Sequence, residues 1–124
     1  MLNEKDYCDY ETCVALKELG ITDCSLQYYE KGCPNTLHRN LLQPLTIRTA
    51  EALGRVLAIS LYNAQKWLRE EKKINISPVY LFTDWGCIIK TPKYGDLIES
   101  HSSYEEALLE GVKAAVNILK EERK

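Results

Sequence analysis

The sequence has no apolar run long enough to cross a bilayer. Its longest apolar-rich stretch, ALGRVLAISLYNA, contains Arg55 and falls well short of the about 20 residues a membrane helix needs. The opening MLNEKDYCDYET is acidic and lacks the apolar segment of a secretory signal, so a cytoplasmic location is expected. A large charge excess is also missing. The formal net charge of −2 marks neither a strongly basic nucleic-acid binder nor a strongly acidic surface. There is no phosphate-binding Walker loop, no dinucleotide-binding glycine pattern and no zinc-protease helix. The glycines at 20, 32, 54, 86, 95 and 111 are dispersed, which suits turns, bends and close packing better than a phosphate cradle. No Gly/Ser/Pro-rich linker divides the chain, so one domain over residues 1–124 is expected.

What is present has the balance of a globular chain. Hydrophobic residues make up 45% and charged residues 27% of 124 residues. A chain of this length buries about two thirds of its extended surface without needing a metal or disulfide. Five cysteines (Cys8, Cys13, Cys24, Cys33, Cys87) are an odd number for a secreted disulfide framework, so reduced thiols are expected.

Hydrophobic periodicity sets out the elements. YETCVALKELG reads as a helix with Tyr10, Cys13, Val14 and Leu16 on one face and Gly20 as its stop. CSLQYYEKG alternates as a strand that Gly32 and Pro34 end, and residues 36–39 form a weaker partner before NLLQP. From Ile47 to Lys73 the period is helical. Gly54 and Ser60 divide it into two helices, roughly 47–58 and 61–72, with Leu61, Ala64, Trp67 and Leu68 on the apolar side of the second. NISPVYLFTDWGCIIKTP reads as a hairpin turning at Asp84-Trp85-Gly86, with Pro78 requiring an edge or irregular strand. In the last segment Ser103 and Glu106 fit a capping box. Tyr104, Ala107, Leu108, Gly111, Val112, Ala115 and Leu119 then recur at the helical period toward the basic Lys120, Arg123 and Lys124. The fold class is α+β: a small, mostly antiparallel sheet covered on one face by helices, in the approximate order α-β-(β)-α-α-β-β-α.

The joined pattern AQKWLREEKKINISPVY, DWGCIIKTP and SYEEALLEGVKAAVNIL, with the opening YETCVALKELG, resembles a family of small α+β proteins from gut Bacteroides-type bacteria and their phages. The stretch TIRTAEALGRVLAIS departs from the family's shorter connection. The resemblance implies an α+β fold and phage or mobile-element ancestry. It brings no catalytic residues with it.

The search for chemistry yields mostly packing, with no catalytic set and no cofactor. Cys24, Cys33 and His38, joined by Cys8 or Cys13, are the residue types of a tetrahedral zinc site, but they lack paired C-x2-C spacing. Structural thiols are the simpler account, and a zinc-binding domain stands as the lowest-ranked reading. Cys87 and His101 could pair as nucleophile and base only if the fold brought them together. Core thiol and loop histidine are the ordinary roles. Glu70 and Glu71 are adjacent on a helix and diverge, so they read as a solvated helix end with Arg69, Lys72 and Lys73.

Charge is unevenly distributed. Residues 1–30 hold two basic and seven acidic residues (net −5), residues 31–93 hold ten and four (net +6), and residues 94–124 hold four and seven (net −3). The basic middle, with Arg48, Arg55, Lys66, Arg69, Lys72 and Lys73, supports a weak, non-specific nucleic-acid contact, with Arg69, Lys72 and Lys73 its most concentrated patch. The leading reading is a non-enzymatic protein-interaction or structural domain. It makes contact through Trp85 and Tyr94 or through the Pro78-containing edge, as a homodimer or with another protein. Trp67, beside Leu68, is expected in the core.

Overall fold

A computed structural model of the chain describes residues 4–40 and 43–122. Leu41 and Leu42 of the NLLQP segment, and Arg123 and Lys124 of the basic end, lie outside the described residues. The fold is α+β, and every strand ladder among the described residues is antiparallel. The strands form three small sheets rather than the one sheet expected. The chain divides into two compact units, Met1–Ser60 and Leu61–Lys124.

In the first unit, α1 (Tyr10–Glu18) starts where Asp9 accepts the Thr12 N–H at 2.9 Å. It stops at Gly20, whose φ of +99° lets Gly20 N–H reach Lys17 and Ile21 N–H reach Leu16, the double bond of a Schellman cap. Cys13, Ala15 and Leu16 are buried on its inner face. The predicted strand at 24–29 is broken at Leu26 into β1 (Cys24–Ser25) and β2 (Gln27–Glu30). The former pairs with β4 (Leu45–Thr46), and β2 lies between β3 (Cys33–Arg39) and β5 (Arg55–Leu57). Pro34 therefore does not end a strand. It sits in β3, an edge strand where a missing N–H breaks no internal ladder.

The predicted helix at 47–58 is overturned in its second half. Only α2 (Ile47–Ala52) is helical, with Thr46 accepting from Thr49 N–H at 3.1 Å. Gly54 turns the chain at φ +73°, and residues 55–57 then pair with β2. A short apolar run fits either state locally. The ladder partner decides it, because β pairing buries both Val56 and Leu57. Tyr28, Leu45, Ala50 and Leu57 form a core cluster with Ile47 packed on it. Tyr29 donates its hydroxyl to Cys8 carbonyl at 2.8 Å.

The second unit runs α3 (Leu61–Glu71), β6 (Asn75–Tyr80), β7 (Trp85–Lys90), β8 (Gly95–His101) and α4 (Tyr104–Glu122). The sheet order is β6-β7-β8, so Pro78 is on an edge strand as expected. The hairpin turns at residues 81–84, closed by Leu81 N–H to Asp84 carbonyl at 2.8 Å, and not at Asp84-Trp85-Gly86. Trp85 instead opens β7 opposite Tyr80. Gly86 lies within the ladder, where a Cβ would stand 2.8 Å from Ile98 carbonyl oxygen. Strand β8 was not expected. Its sequence GDLIESH is rich in poor strand formers, and pairing with β7 supplies what its propensity lacks.

Helix α4 packs on β6 and β7 through Ala107, Leu108, Gly111, Val112, Ala115, Val116 and Leu119. Ser103 caps it by accepting Glu106 N–H at 3.1 Å. The Glu106 carboxylate takes the Ser102 hydroxyl at 2.6 Å, so of the capping box only the serine half is seen. No helix among the described residues is long and apolar enough to cross a membrane.

Candidate interaction site

The turn between β6 and β7 carries an exposed aromatic group. Tyr80 and Trp85 face each other across the last ladder pair, with ring centroids 5.3 Å apart. Tyr104, from the first turn of α4, meets Trp85 edge-on at 5.5 Å, and Phe82 lies 6.5 Å from Tyr80. The edge-on and tilted contacts suit the ring quadrupoles and fix the cluster's shape. Tyr80 is 62% and Phe82 89% exposed. Phe82 is held at φ +73°, a left-handed conformation that bulky residues rarely adopt. Its carbonyl accepts the Tyr80 hydroxyl, and Thr83 N–H bonds Leu81 carbonyl at 2.9 Å. The ring thus projects from a tip whose backbone is hydrogen-bonded.

The surroundings of the tip are acidic. His101 pairs with Trp85 in the ladder, and its Nδ1 lies 3.5 Å from the Glu106 carboxylate. The Ser102 hydroxyl donating to Glu106 holds that carboxyl below its usual range, aided by His101. Glu105 follows Tyr104, and Asp84 precedes Trp85.

The structure separates the two aromatic residues singled out from the sequence. Trp85 is half-buried at the start of β7, whereas Tyr94, 49% exposed, lies past its far end in the turn to β8. About 17 Å of strand lies between, so they do not share one surface. Phe82 and Tyr104 replace Tyr94 as neighbours of Trp85. Tyr104 had read as part of the α4 apolar stripe, and Phe82 as a position in the first strand of the hairpin.

The same unit has a second candidate at its other end. An open groove of about 570 Å³ is lined by Lys72, Lys73 and Lys93 together with Ile74, Pro92, Ile118 and Glu122. Lys72 and Lys73 of the basic patch are therefore brought together, and Lys93 joins them. Arg69 is exposed on α3 but does not line the groove. Local contacts use part of this charge. Lys73, itself at φ +60°, donates its ammonium to Glu70 carbonyl at 3.0 Å. Lys72 lies 5.3 Å over the ring of Trp67, which is half-buried rather than in the core. Arg55 is engaged within the first unit, 4.2 Å over the Tyr28 ring.

The metal and nucleophile candidates are not assembled. Among the described residues, no three His, Cys, Asp or Glu side chains gather so as to hold a metal ion. Cys24 lies opposite Thr46 and Cys33 opposite Glu30, while His38 stacks on Tyr28 at 5.4 Å. Cys8 and Cys13 are buried, and Cys13 thiol donates to Cys8 carbonyl at 3.6 Å. The Cys13 thiol and burial push the Cys8 thiol well up. Cys87 is buried beneath α4, and burial pushes its thiol up to about 11, the state of a packed neutral thiol rather than a nucleophile. His101 is engaged with Glu106. No family model, curated protein or solved structure matches the chain.

Proposed function

We propose that the chain is a non-enzymatic, cytoplasmic protein-interaction domain whose contact surface is the aromatic tip of the β6–β7 hairpin. The carrying observation is Phe82, a phenyl ring 89% exposed on a left-handed residue. Such a backbone conformation costs roughly 1–2 kcal/mol in a non-glycine residue, and burial of a phenyl side chain contributes about 1.5–3 kcal/mol. A partner that covers the ring supplies the burial which the free chain forgoes. Tyr80, Trp85 and Tyr104 supply the aromatic anchors that dominate protein contacts. The resemblance to a phage-associated family fits a small domain that acts by contact, and mobile-element ancestry belongs to the same proposal.

The test compares the wild-type chain with Phe82→Ser as baits in native extract. The ring is exposed, so its loss leaves the fold intact, which circular dichroism checks. The expected result is a protein held in stoichiometric amount by wild type and lost from the variant. Identical retention by both baits would overturn the reading.

A second reading has its own observation, the gathering of Lys72, Lys73 and Lys93 at one groove. It is weak, non-specific nucleic-acid binding, whose affinity should fall steeply with salt while base sequence matters little. Anisotropy titrations with labelled DNA and RNA at two salt concentrations test it. Absence of binding at low salt removes it.

A further inference from the structure

The two ends of the second unit are chemically opposite. Residues 94–110 carry Asp96, Glu99, Glu105, Glu106 and Glu110 but no lysine or arginine, and residues 74–89 carry Asp84 alone. Of these carboxylates Asp84, Glu105 and Glu106 flank the exposed rings of Tyr80, Phe82, Trp85 and Tyr104 in sequence, whereas Asp96, opposite Ile89, lies toward the far end of the sheet. A polyanion is a poor partner for the rings, because phosphates would meet carboxylates. At the groove the order is reversed: Lys72, Lys73 and Lys93 line it together with the apolar Ile74, Pro92 and Ile118 and one carboxylate, Glu122. One end is thus an aromatic knob with an acidic collar. The other is a groove lined by lysines and apolar side chains.

Knob and groove cannot meet within one copy. Tyr104 begins α4, whereas Ile118 and Glu122 lie at its end. A helix of 19 residues is about 28 Å long at 1.5 Å per residue. Strand polarity agrees, since β6 runs from Asn75, next to Ile74 of the groove, to Tyr80 at the tip.

We infer that the aromatic tip of one copy seats in the lysine-lined groove of a second copy of this chain. This rests on the reading of the tip as a protein-contact surface and names its partner. The Phe82 ring enters over Ile74, Pro92 and Ile118, and the lysine ammoniums face the rings and the Asp84, Glu105 and Glu106 carboxylates. Lysine over an aromatic face is attractive, as Lys72 over Trp67 already illustrates. The contact joins two different surfaces, so it is head-to-tail and leaves a free tip and a free groove at the ends of each assembly. A single knob makes a small interface, at the weak end of specific contacts.

Light scattering on the full chain through the micromolar range, at low and high salt, tests the inference. The samples are wild type, Phe82→Ser, the double variant Lys72→Glu/Lys93→Glu, and an equimolar mixture of the two variants. Lys73 is retained because its ammonium closes the end of α3. At low salt the wild-type mass should rise with concentration past twice 14.2 kDa and fall back in high salt. Each variant alone should stay monomeric. Their mixture should form a one-to-one complex, because the intact tip of one meets the intact groove of the other.

A monomeric wild type, or an associating wild type whose variants fail to complement, overturns the inference. If Phe82→Ser abolishes association and the lysine variant retains it, the tip stands as a contact surface and the groove is not its partner. If Phe82→Ser associates like wild type, both fall. Circular dichroism verifies each variant, with Lys72→Gln/Lys93→Gln as the replacement should charge reversal unfold the chain. Salt-sensitive oligonucleotide binding by a wild type that does not self-associate assigns the groove to phosphate and overturns the self-contact.

Discussion

Alanine at Gly111 should destabilise the second unit although it improves the helix. Gly111 sits in the middle of α4 where the helix crosses β6 and β7. A Cβ built there lies 2.5 Å from Cys87 Sγ and 2.5 Å from Ile76 Cγ2. Ordinary contacts between such atoms are about 3.5–4.0 Å, so helix and sheet must part by roughly 1 Å. Neither neighbour gives easily, because Ile76 is 1% exposed and Cys87 fully buried. Overpacking a core costs about 1–3 kcal/mol, while alanine over glycine in a helix interior returns about 1 kcal/mol. Two simultaneous clashes at rigid positions place the loss at the upper end. The net expectation is destabilisation by about 1–2 kcal/mol. Urea denaturation followed by far-ultraviolet circular dichroism measures it, as a lower midpoint with an unchanged slope. A double-mutant cycle isolates the cause. Cys87→Ala removes Sγ and leaves a Cβ 3.6 Å away, an ordinary contact. Gly111→Ala should then cost less in the Cys87→Ala background by at least about 0.5 kcal/mol. Ile76→Val should give no such relief, because valine keeps the offending γ-methyl. A neutral or stabilising Gly111→Ala, or strict additivity with Cys87→Ala, would show that the helix and sheet are not in tight contact at this position.

Other expectations concern the thiols and the carboxylate beside the tip. Of the five cysteines, Cys24 and Cys33 are exposed, while Cys8, Cys13 and Cys87 are buried. A colorimetric thiol reagent should label two groups quickly in native protein and all five after unfolding, and fast labelling of a third would contradict the packing. Burial raises the Cys87 thiol to about 11. Its contribution to stability is full below the ordinary thiol range and is lost as pH rises through that range toward about 11. Alkaline titration of the denaturation midpoint should therefore show a shallower fall in Cys87→Ala than in wild type, and parallel curves would argue against a buried neutral thiol. The lowered pKa of Glu106 has the opposite sign. Its contribution is present above the ordinary carboxylate range and disappears as pH falls through the lowered value. Ser102→Ala should raise the Glu106 titration midpoint in a carboxyl NMR titration, and an unchanged midpoint would show that the hydroxyl does not hold it.

Local pattern carried the sequence reading where one element answers to its own period. Helix α4 repeats apolar residues at helical spacing over 19 residues, and six of the seven positions expected on its inner face are buried. Tyr104 is the exception, exposed at the first turn. Strands β5 and β8 were illegible for a different reason: both exist because a partner strand pairs with them. Arg55-Val56-Leu57 continues a helical spacing, and only the ladder to β2 makes it extended. The site was legible in parts. Trp85, Lys72 and Lys73 stood out by type, but which side chains share a surface depends on where the hairpin turns. Moving that turn from 84–86 to 81–84 brings Trp85 into the ladder and leaves Phe82 at the tip. The density of rings in YLFTDW was the available signal. The sequence reading placed Phe82 within the first strand, short of the turn that exposes it.

The hairpin tip is proposed as the surface by which this chain meets a protein partner, a second copy in the first instance. An amide NMR dilution series on the wild-type chain at low salt tests it most directly, because it maps the contact residue by residue. As concentration rises, two sets of resonances should shift together: Tyr80, Phe82, Trp85 and Tyr104 at one end, and Ile74, Lys93 and Ile118 at the other. Resonances that stay fixed at the tip while those of another surface move, or a spectrum independent of concentration throughout, would contradict it.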